Sequence, residues 1–203
     1  MLFARGKNRW TNLRSFFINI NKLFLFLKQE DFTGYVHILL PNRQGLVLFQ
    51  EGDVVNGLIE EGENRTSGQS TVRQILGYAE KYNDCRIFVA EFPPETVSVL
   101  SEIFSMRVRM VHERLSNEFT NLGKYVGRLN AARFTGYLDV RFPNDRRKGV
   151  EVILFRNGRI TAIVAAHLQI RMDNPDKEKM ERIREYLTDV QHKSLRYSVF
   201  TLE

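Results

Sequence analysis

The same short phrase occurs twice in this chain, about a hundred residues apart. The first copy reads FTGYVHILLP from Phe32 to Pro41, and the second reads FTGYLDVRFP from Phe134 to Pro143. Phenylalanine, threonine, glycine, tyrosine and proline stand at the same places in both copies. An internal repeat of this kind predicts that one supersecondary unit is built twice. The chain has 203 residues, which is enough for two small domains with a core each.

A helix is predicted ahead of each phrase. Apolar residues there recur at the i, i+3, i+4, i+7 spacing that lines one face of an α-helix. They are Ile20, Leu23, Phe24 and Leu27 in the first copy, and Leu122, Tyr125, Val126 and Leu129 in the second.

Two β-rich runs follow each phrase and are separated by a glycine turn. Gly52 and Gly158 lie in these turns, within the segments LFQEGDVV and LFRNGRIT, and supply the positive φ that tight hairpins need. Gly34 and Gly136 stand at the start of the phrase's own strand. We expect them to be structural, because a missing Cβ there lets the preceding helix pack closely or permits a bulge.

A second helix and a last strand complete each copy. Helical patterns follow in TVRQILGYAEKY and DKEKMERIREYL, and strand patterns in CRIFVAEF and LRYSVFTL. Between the copies lies a segment with apolar residues at helical spacing, which predicts a connecting helix. These residues are Val97, Leu100, Phe104, Val108 and Val111.

The predicted fold class is therefore α+β with two tandem repeats. Each repeat consists of a helix, an antiparallel three-strand meander, a helix and a strand. The predicted boundaries are 11–93 for the first repeat, 94–116 for the connecting helix and 117–203 for the second repeat.

This pattern resembles the PATAN domain, a bacterial module of unassigned biochemical activity that is often fused to signalling domains. The matching residues are Thr33, Gly34, Gly45, Leu48 or Phe49, Gly52, Val54 and Gly68 in the first copy, and Thr135, Gly136, Leu138, Gly149, Phe155, Gly158, Ile160 and Ala162 in the second. The first copy departs from the pattern at Asn56, where alanine is usual, and the second lacks the glycine before its second helix. The resemblance implies a module that mediates protein contacts in bacterial signalling or motility regulation, and it carries no catalytic residues to transfer.

No motif for phosphate binding, metalloprotease or hydrolase chemistry occurs in the sequence. The single cysteine, Cys85, opens an apparent strand and is interpreted as a small buried hydrophobe. Because one cysteine excludes an internal disulfide, the cytoplasm is the expected location. The four histidines fall on four different predicted elements, so no metal site is expected. We expect no catalytic residues, no cofactor and no small-molecule substrate.

The cationic residues are the most open to a functional interpretation. The formal net charge is +6, and residues 1–28 hold six lysines and arginines without any aspartate or glutamate. The candidate binding residues are Arg5, Lys7 and Arg9 in this segment and Arg146, Arg147 and Lys148 in the longer hairpin of the second copy. They could attract nucleic acid, an anionic membrane surface or an acidic protein. The alternative is a solvated loop and a basic tail that leads into a core helix.

The leading hypothesis is a non-enzymatic protein–protein interaction module in bacterial signalling or motility regulation. Its protein partner is not identified by the sequence. The alternative hypothesis is a binder of nucleic acid or of an anionic membrane surface, acting through the basic N-terminal segment and the Arg146–Lys148 loop.

Overall fold

The computed structural model describes residues 6–62, 64–82, 84–144, 150–165, 168–172 and 176–203. Within these residues the fold is α+β, with five helices and two antiparallel six-stranded sheets. This confirms the predicted fold class at the level of α+β. The chain divides into two compact units, which we call the N-terminal unit, Gly6–Ser105, and the C-terminal unit, Met106–Glu203.

The N-terminal unit holds the first sheet and three helices. Its elements are β1 (Lys7–Arg14), α1 (Ile20–Gln29), β2 (Gly34–Leu39), β3 (Gln44–Gln50), β4 (Asp53–Glu61), β5 (Asn64–Ser67), α2 (Gln69–Lys81), β6 (Arg86–Glu91) and α3 (Pro94–Ser105). The strand order in the sheet is β1-β6-β2-β3-β4-β5.

The core of the N-terminal unit forms where α1 and α2 cover one face of this sheet. The predicted helical stripe of α1 buries Ile20, Leu23 and Leu27. Asn19 caps the helix, because its side-chain oxygen accepts a hydrogen bond from the backbone N–H of Lys22 at 3.0 Å. Cys85 is fully buried, as its interpretation as a small hydrophobe requires. Helix α3 packs on β3 and β4.

The C-terminal unit holds the second sheet and two helices. Its elements are β7 (Val108–Ser116), α4 (Leu122–Ala131), β8 (Gly136–Arg141), β9 (Val150–Arg156), β10 (Arg159–Val164), β11 (Gln169–Arg171), α5 (Lys177–Gln191) and β12 (Arg196–Leu202). The strand order is β11-β10-β9-β8-β12-β7. Helices α4 and α5 share a core with this sheet, in which Leu122, Leu129, Ile183 and Val190 are buried.

The predicted connecting helix over 94–116 is wrong in its second half. Helix α3 ends at Ser105, and Val108–Ser116 forms the edge strand β7, paired with β12. The backbone N–H of Arg107 donates to the carbonyl of Glu203 at 3.2 Å, and the N–H of Glu203 donates back at 2.9 Å. Such a ladder joins residues far apart in the sequence, so a local apolar pattern does not reveal it.

The expected basic tail also takes another form. Residues Lys7–Arg14 are the edge strand β1, which pairs with β6 in an irregular register. Trp10 and Leu13 pack against the core of the N-terminal unit. Each meander is one short strand longer than predicted, since β5 and β11 follow the three strands that the sequence indicates.

Candidate functional site

The turn glycines Gly52 and Gly158 lie under the C-terminal ends of α1 and α4. Their φ angles are +79° and +81°, in the region that favours glycine. A Cβ on Gly52 would lie 2.5 Å from the carbonyl oxygen of Lys28, and one on Gly158 would lie 2.4 Å from that of Asn130. The structure therefore gives both glycines a role in packing a hairpin turn against a helix.

Gly34 and Gly136 are placed by close approach to a neighbouring strand. A Cβ on Gly34 would lie 2.2 Å from the carbonyl oxygen of Ala90. One on Gly136 would lie 2.0 Å from the carbonyl oxygen of Phe200. Both glycines thus let the strand that they open lie against the last strand of the same sheet.

The candidate cations of the N-terminal segment take part in ion pairs of their own unit. Arg9 lies 3.2 Å from Glu30 and also stacks over the Trp10 ring, 4.8 Å from its centroid. Lys7 lies 3.9 Å from a Glu91 oxygen. The candidates Arg5, Arg146, Arg147 and Lys148 lie outside the described residues.

Two further cations of this segment are paired in the same way. Arg14 lies 2.8 Å from Asp84, and Lys28 lies 3.0 Å from Asp53. All four pairs are at least partly exposed, so each contributes little to stability. Their carboxylates nevertheless reduce the positive potential that this part of the surface can present.

A groove opens in the C-terminal unit between α4 and α5, above β10. Its volume is about 770 Å³. The residues that line it are Val126, Asn130, Gly158, Arg159, Ile160, Thr161, Met172, Met180, Ile183, Arg184 and Leu187. Most of this lining is apolar, and the volume falls within the range of small-molecule binding sites.

The start of α4 lies close to the end of α5. Near the start of α4, a Cβ on Gly123 would lie 3.1 Å from the side-chain oxygen of Gln191, the last residue of α5. The groove is lined by Val126 and Asn130 of α4 and by α5 side chains from Met180 to Leu187. Ile183 closes its depth, since this side chain is only 5% exposed.

One position that borders this groove holds a larger side chain in the N-terminal unit. Phe24 is the fifth residue of α1, and its ring lies edge-on to Phe49 with 5.0 Å between the centroids. Val126 is the fifth residue of α4 and is smaller. A cavity of about 480 Å³ near α2 has a more polar lining, formed by Val54, Gln69, Ser70, Val72 and Arg73.

The charges at the groove are positive. Arg159 and Arg184 lie at its rim, and no carboxylate of the described residues belongs to the lining. Arg184 has one acidic neighbour, Glu181, at 3.4 Å, in a pair that is largely exposed. Within the part of the chain that the structure describes, no carboxylate pairs with Arg159.

A buried polar pair lies elsewhere in the C-terminal unit. The Tyr186 hydroxyl donates to the Glu151 carboxylate at 2.6 Å, and Glu151 is fully buried. Burial, followed by the nearby Glu151 charge, raises the pKa of Tyr186 well above its usual value. The tyrosine therefore stays protonated and acts as a donor that ties α5 to the sheet.

Sequence reasoning missed the groove because its residues carry no distinctive signal. Val126, Ile183 and Leu187 belong to helical stripes that are typical of a core, and Ile160 is a strand residue next to a turn. Only the contrast between Phe24 and Val126 indicates that the space between helix and sheet is filled differently in the two copies.

Among the described residues, no group of three or more histidine, cysteine, aspartate or glutamate side chains could hold a metal ion. None of the described helices is long and apolar enough to cross a membrane. The candidate site is thus an apolar groove with a cationic rim on an α+β scaffold. No family model, no curated protein and no solved structure matches this chain.

Proposed function

We propose that this chain is a non-enzymatic interaction protein of bacterial signalling or motility regulation, built from two PATAN-like repeats. It acts in the cytoplasm and presents surfaces of its two units to a protein partner. Four kinds of observation support this proposal: the strand order, the local hydrogen bonds, the placement of the recurring residues and the exposed aromatic side chains.

The strand orders support two repeats. In the first sheet, the edge strand β1 precedes the α1 helix and pairs with the last strand, β6. In the second sheet, the edge strand β7 precedes α4 and pairs with the last strand, β12. The remaining strands follow as β2-β3-β4-β5 and as β8-β9-β10-β11. Both orders are the same once each unit is numbered from its own edge strand.

The local hydrogen bonds recur with the strands. The N–H of Gly52 donates to the Phe32 carbonyl at 2.9 Å, and that of Gly158 donates to the Phe134 carbonyl at 2.7 Å. In each unit the phrase threonine accepts a bond from the turn backbone. The two bonds are Glu51 N to Thr33 Oγ1 at 2.9 Å and Asn157 N to Thr135 Oγ1 at 3.0 Å.

The observation that best supports the proposal is that residues shared by the two copies have structural roles. Gly52 and Gly158 pack the turns against helices, and Thr33 and Thr135 accept hydrogen bonds from the turn backbone. A recurring scaffold of this kind can carry different binding surfaces. The exposed aromatics also support contact with a partner, since Phe17 is 80% and Phe119 is 89% exposed.

The test is affinity capture of the tagged, full-length protein from lysate of its native host. The lysate is treated with nuclease, the resin is washed at low and at high salt, and retained proteins are identified by mass spectrometry. A discrete protein retained at high salt, and absent from a capture with the tag alone, is the expected result.

Two outcomes would overturn the proposal. One is material that is retained only at low salt and is lost on nuclease treatment, which would favour the anionic-partner alternative. The other is turnover of a small molecule that a single polar substitution abolishes, since that would make the chain an enzyme.

A further inference from the structure

We propose that the groove between α4 and α5 binds a single-chain amphiphile with an anionic head, such as a long-chain carboxylate. This inference concerns a ligand site of the C-terminal unit and does not depend on the proposed protein–protein function. It rests on the lining, the volume and the charge of the groove.

The lining suits an acyl chain. Val126 on α4, Ile160 on β10 and Leu187 on α5 are half-buried apolar side chains that face the same space. Met172 and Met180 add two flexible thioether side chains, which adapt to an apolar ligand without strain. An apolar surface of this kind gains free energy when a hydrocarbon chain displaces water from it.

The depth and volume of the groove suit a small amphiphile. The start of α4 lies close to Gln191 at the end of α5, and the end of α4 lies on the β9–β10 turn, where Asn130 approaches Gly158. The groove has a volume of about 770 Å³ and reaches down to Ile183, which is only 5% exposed. A volume in this range accommodates a small-molecule ligand.

The positive charge at the rim of the groove favours a ligand with an anionic head group. Arg159 and Arg184 flank the opening, and none of the described lining residues carries a carboxylate. A guanidinium group binds a carboxylate through two parallel N–H donors, so a carboxylate head at the rim is matched in both charge and geometry. Glu181 beside Arg184 lowers the contribution of that arginine, which leaves Arg159 as the main contact.

The N-terminal unit suggests which substitution should fill the groove. Phe24 occupies in α1 the place that Val126 has in α4, and it packs on Phe49. Val126→Phe therefore fills the groove with a side chain that the same kind of scaffold already accommodates. Val111→Phe is the matched control, because Val111 is 43% exposed on β7 and does not line the groove.

The experiment is a fluorescence titration of the full-length protein with cis-parinaric acid, a fluorescent long-chain carboxylate. We expect saturable binding to the wild-type protein and at least about tenfold weaker binding to Val126→Phe, with Val111→Phe unchanged. Thermal unfolding of each variant verifies that it is folded. If Val126→Phe fails to fold, Met180→Glu replaces it, since Met180 is 42% exposed and the new carboxylate would face the ligand.

The head group is tested separately. Arg159→Glu should weaken binding of the acid by about tenfold, and Arg182→Glu, on α5 but outside the groove, should not. The methyl ester of the probe should bind the wild-type protein more weakly than the acid, because it lacks the charge.

Three outcomes would overturn this inference. They are no saturable binding to the wild-type protein, equal binding to Val126→Phe, and equal binding of acid and ester. A wild-type protein that binds no probe, together with a captured partner protein that Val126→Phe loses, would assign the groove to a partner helix.

Discussion

Asn56 is a buried polar residue whose place in β4 has a structural reason. Its side-chain nitrogen donates to the Ser101 carbonyl at 3.0 Å and to the Ser105 hydroxyl at 2.9 Å, both on α3. Its side-chain oxygen accepts from the backbone N–H of Gly57 at 2.9 Å. Buried polar groups need such partners, and here they fasten the last turns of α3 to the sheet. Asn56 therefore serves packing within the N-terminal unit.

Replacing Gly52 with alanine should destabilise the protein. The new Cβ would clash with the Lys28 carbonyl at 2.5 Å, and the φ of +79° is unfavourable for alanine. Strain of this kind costs about 1–3 kcal/mol. We expect Gly52→Ala to lower the free energy of unfolding by this amount, and urea denaturation measures it. The matched control is Gly77→Ala, because Gly77 lies on the exposed side of α2 and its Cβ would meet nothing within 4 Å. There alanine should stabilise by about 0.5–1 kcal/mol. A neutral Gly52→Ala variant would contradict the assigned role of the turn.

His37 should make the stability depend on pH. Burial lowers the pKa of His37 below its usual 6.5, against smaller opposing effects of Gln44 and Glu60. The unfolded chain then takes up a proton more readily than the folded protein. The stability that His37 contributes is present above pH 6.5 and is lost as the pH falls through the lower folded pKa.

The measurement is the urea midpoint between about pH 8 and about pH 5, compared with that of His37→Gln. The variant should lose part of the fall in stability on the acid side. His192→Gln is the control, because His192 is exposed on the C-terminal unit and His37 is retained. Equal pH profiles of His37→Gln and the wild-type protein would contradict the prediction.

At the scale of the element, β1 is a strand that the sequence pattern does not predict. Trp10 packs on the core of the N-terminal unit, with its ring 5.9 Å from that of Phe26. Trp10→Ala should therefore lower the free energy of unfolding by about 2–3 kcal/mol, somewhat less than for a fully buried tryptophan. Phe17→Ala is the control, since its ring is 80% exposed and the change should stay within about 0.5 kcal/mol. Circular dichroism is the suitable probe, because Trp10 is the sole tryptophan. Equal effects of both variants would mean that β1 does not contribute to the core.

Local patterns predicted the elements that rest on local chemistry. The stripes of α1 and α4 were found from helical spacing, and the hairpin turns from their glycines at positions 52 and 158. The edge strands β1 and β7 were missed because their burial is low and their hydrogen bonds go to residues far along the chain. Val108 and Val111 fit the helical spacing of α3 in the sequence. In the structure they lie in β7, because the hydrogen bonds with β12 outweigh the local helical pattern.

The candidate groove could not be predicted in the same way. A stripe of apolar residues predicts that a helix packs on something, but it does not reveal whether the packing is complete. One contributing difference is a single side chain, Phe24 in α1 against Val126 in α4. How completely such a side chain fills the space above the sheet is a property of three-dimensional packing.

At the scale of the whole molecule, the position of the charge matters more than its sum. The net charge is +6, and residues 1–28 contain six cations without an acid. In the structure, Lys7, Arg9, Arg14 and Lys28 each lie within 4 Å of a carboxylate that belongs to a later part of the N-terminal unit. A sequence-based estimate of a basic surface therefore overstates the field of this segment, because the fold brings acids to it.

The binding of nucleic acid should consequently be weak and sensitive to salt. We expect that a fluorescently labelled random DNA duplex binds only at low ionic strength, and that the anisotropy signal disappears by about 0.2 M salt. Lys7→Glu combined with Arg9→Glu should abolish the remaining signal if β1 carries it, and Lys177→Glu with Lys179→Glu, on the exposed start of α5, is the matched control. Tight binding that persists at high salt would contradict this prediction, since screened surface charges could not produce it. It would require a specific nucleic-acid contact and would move the function of the chain to that class.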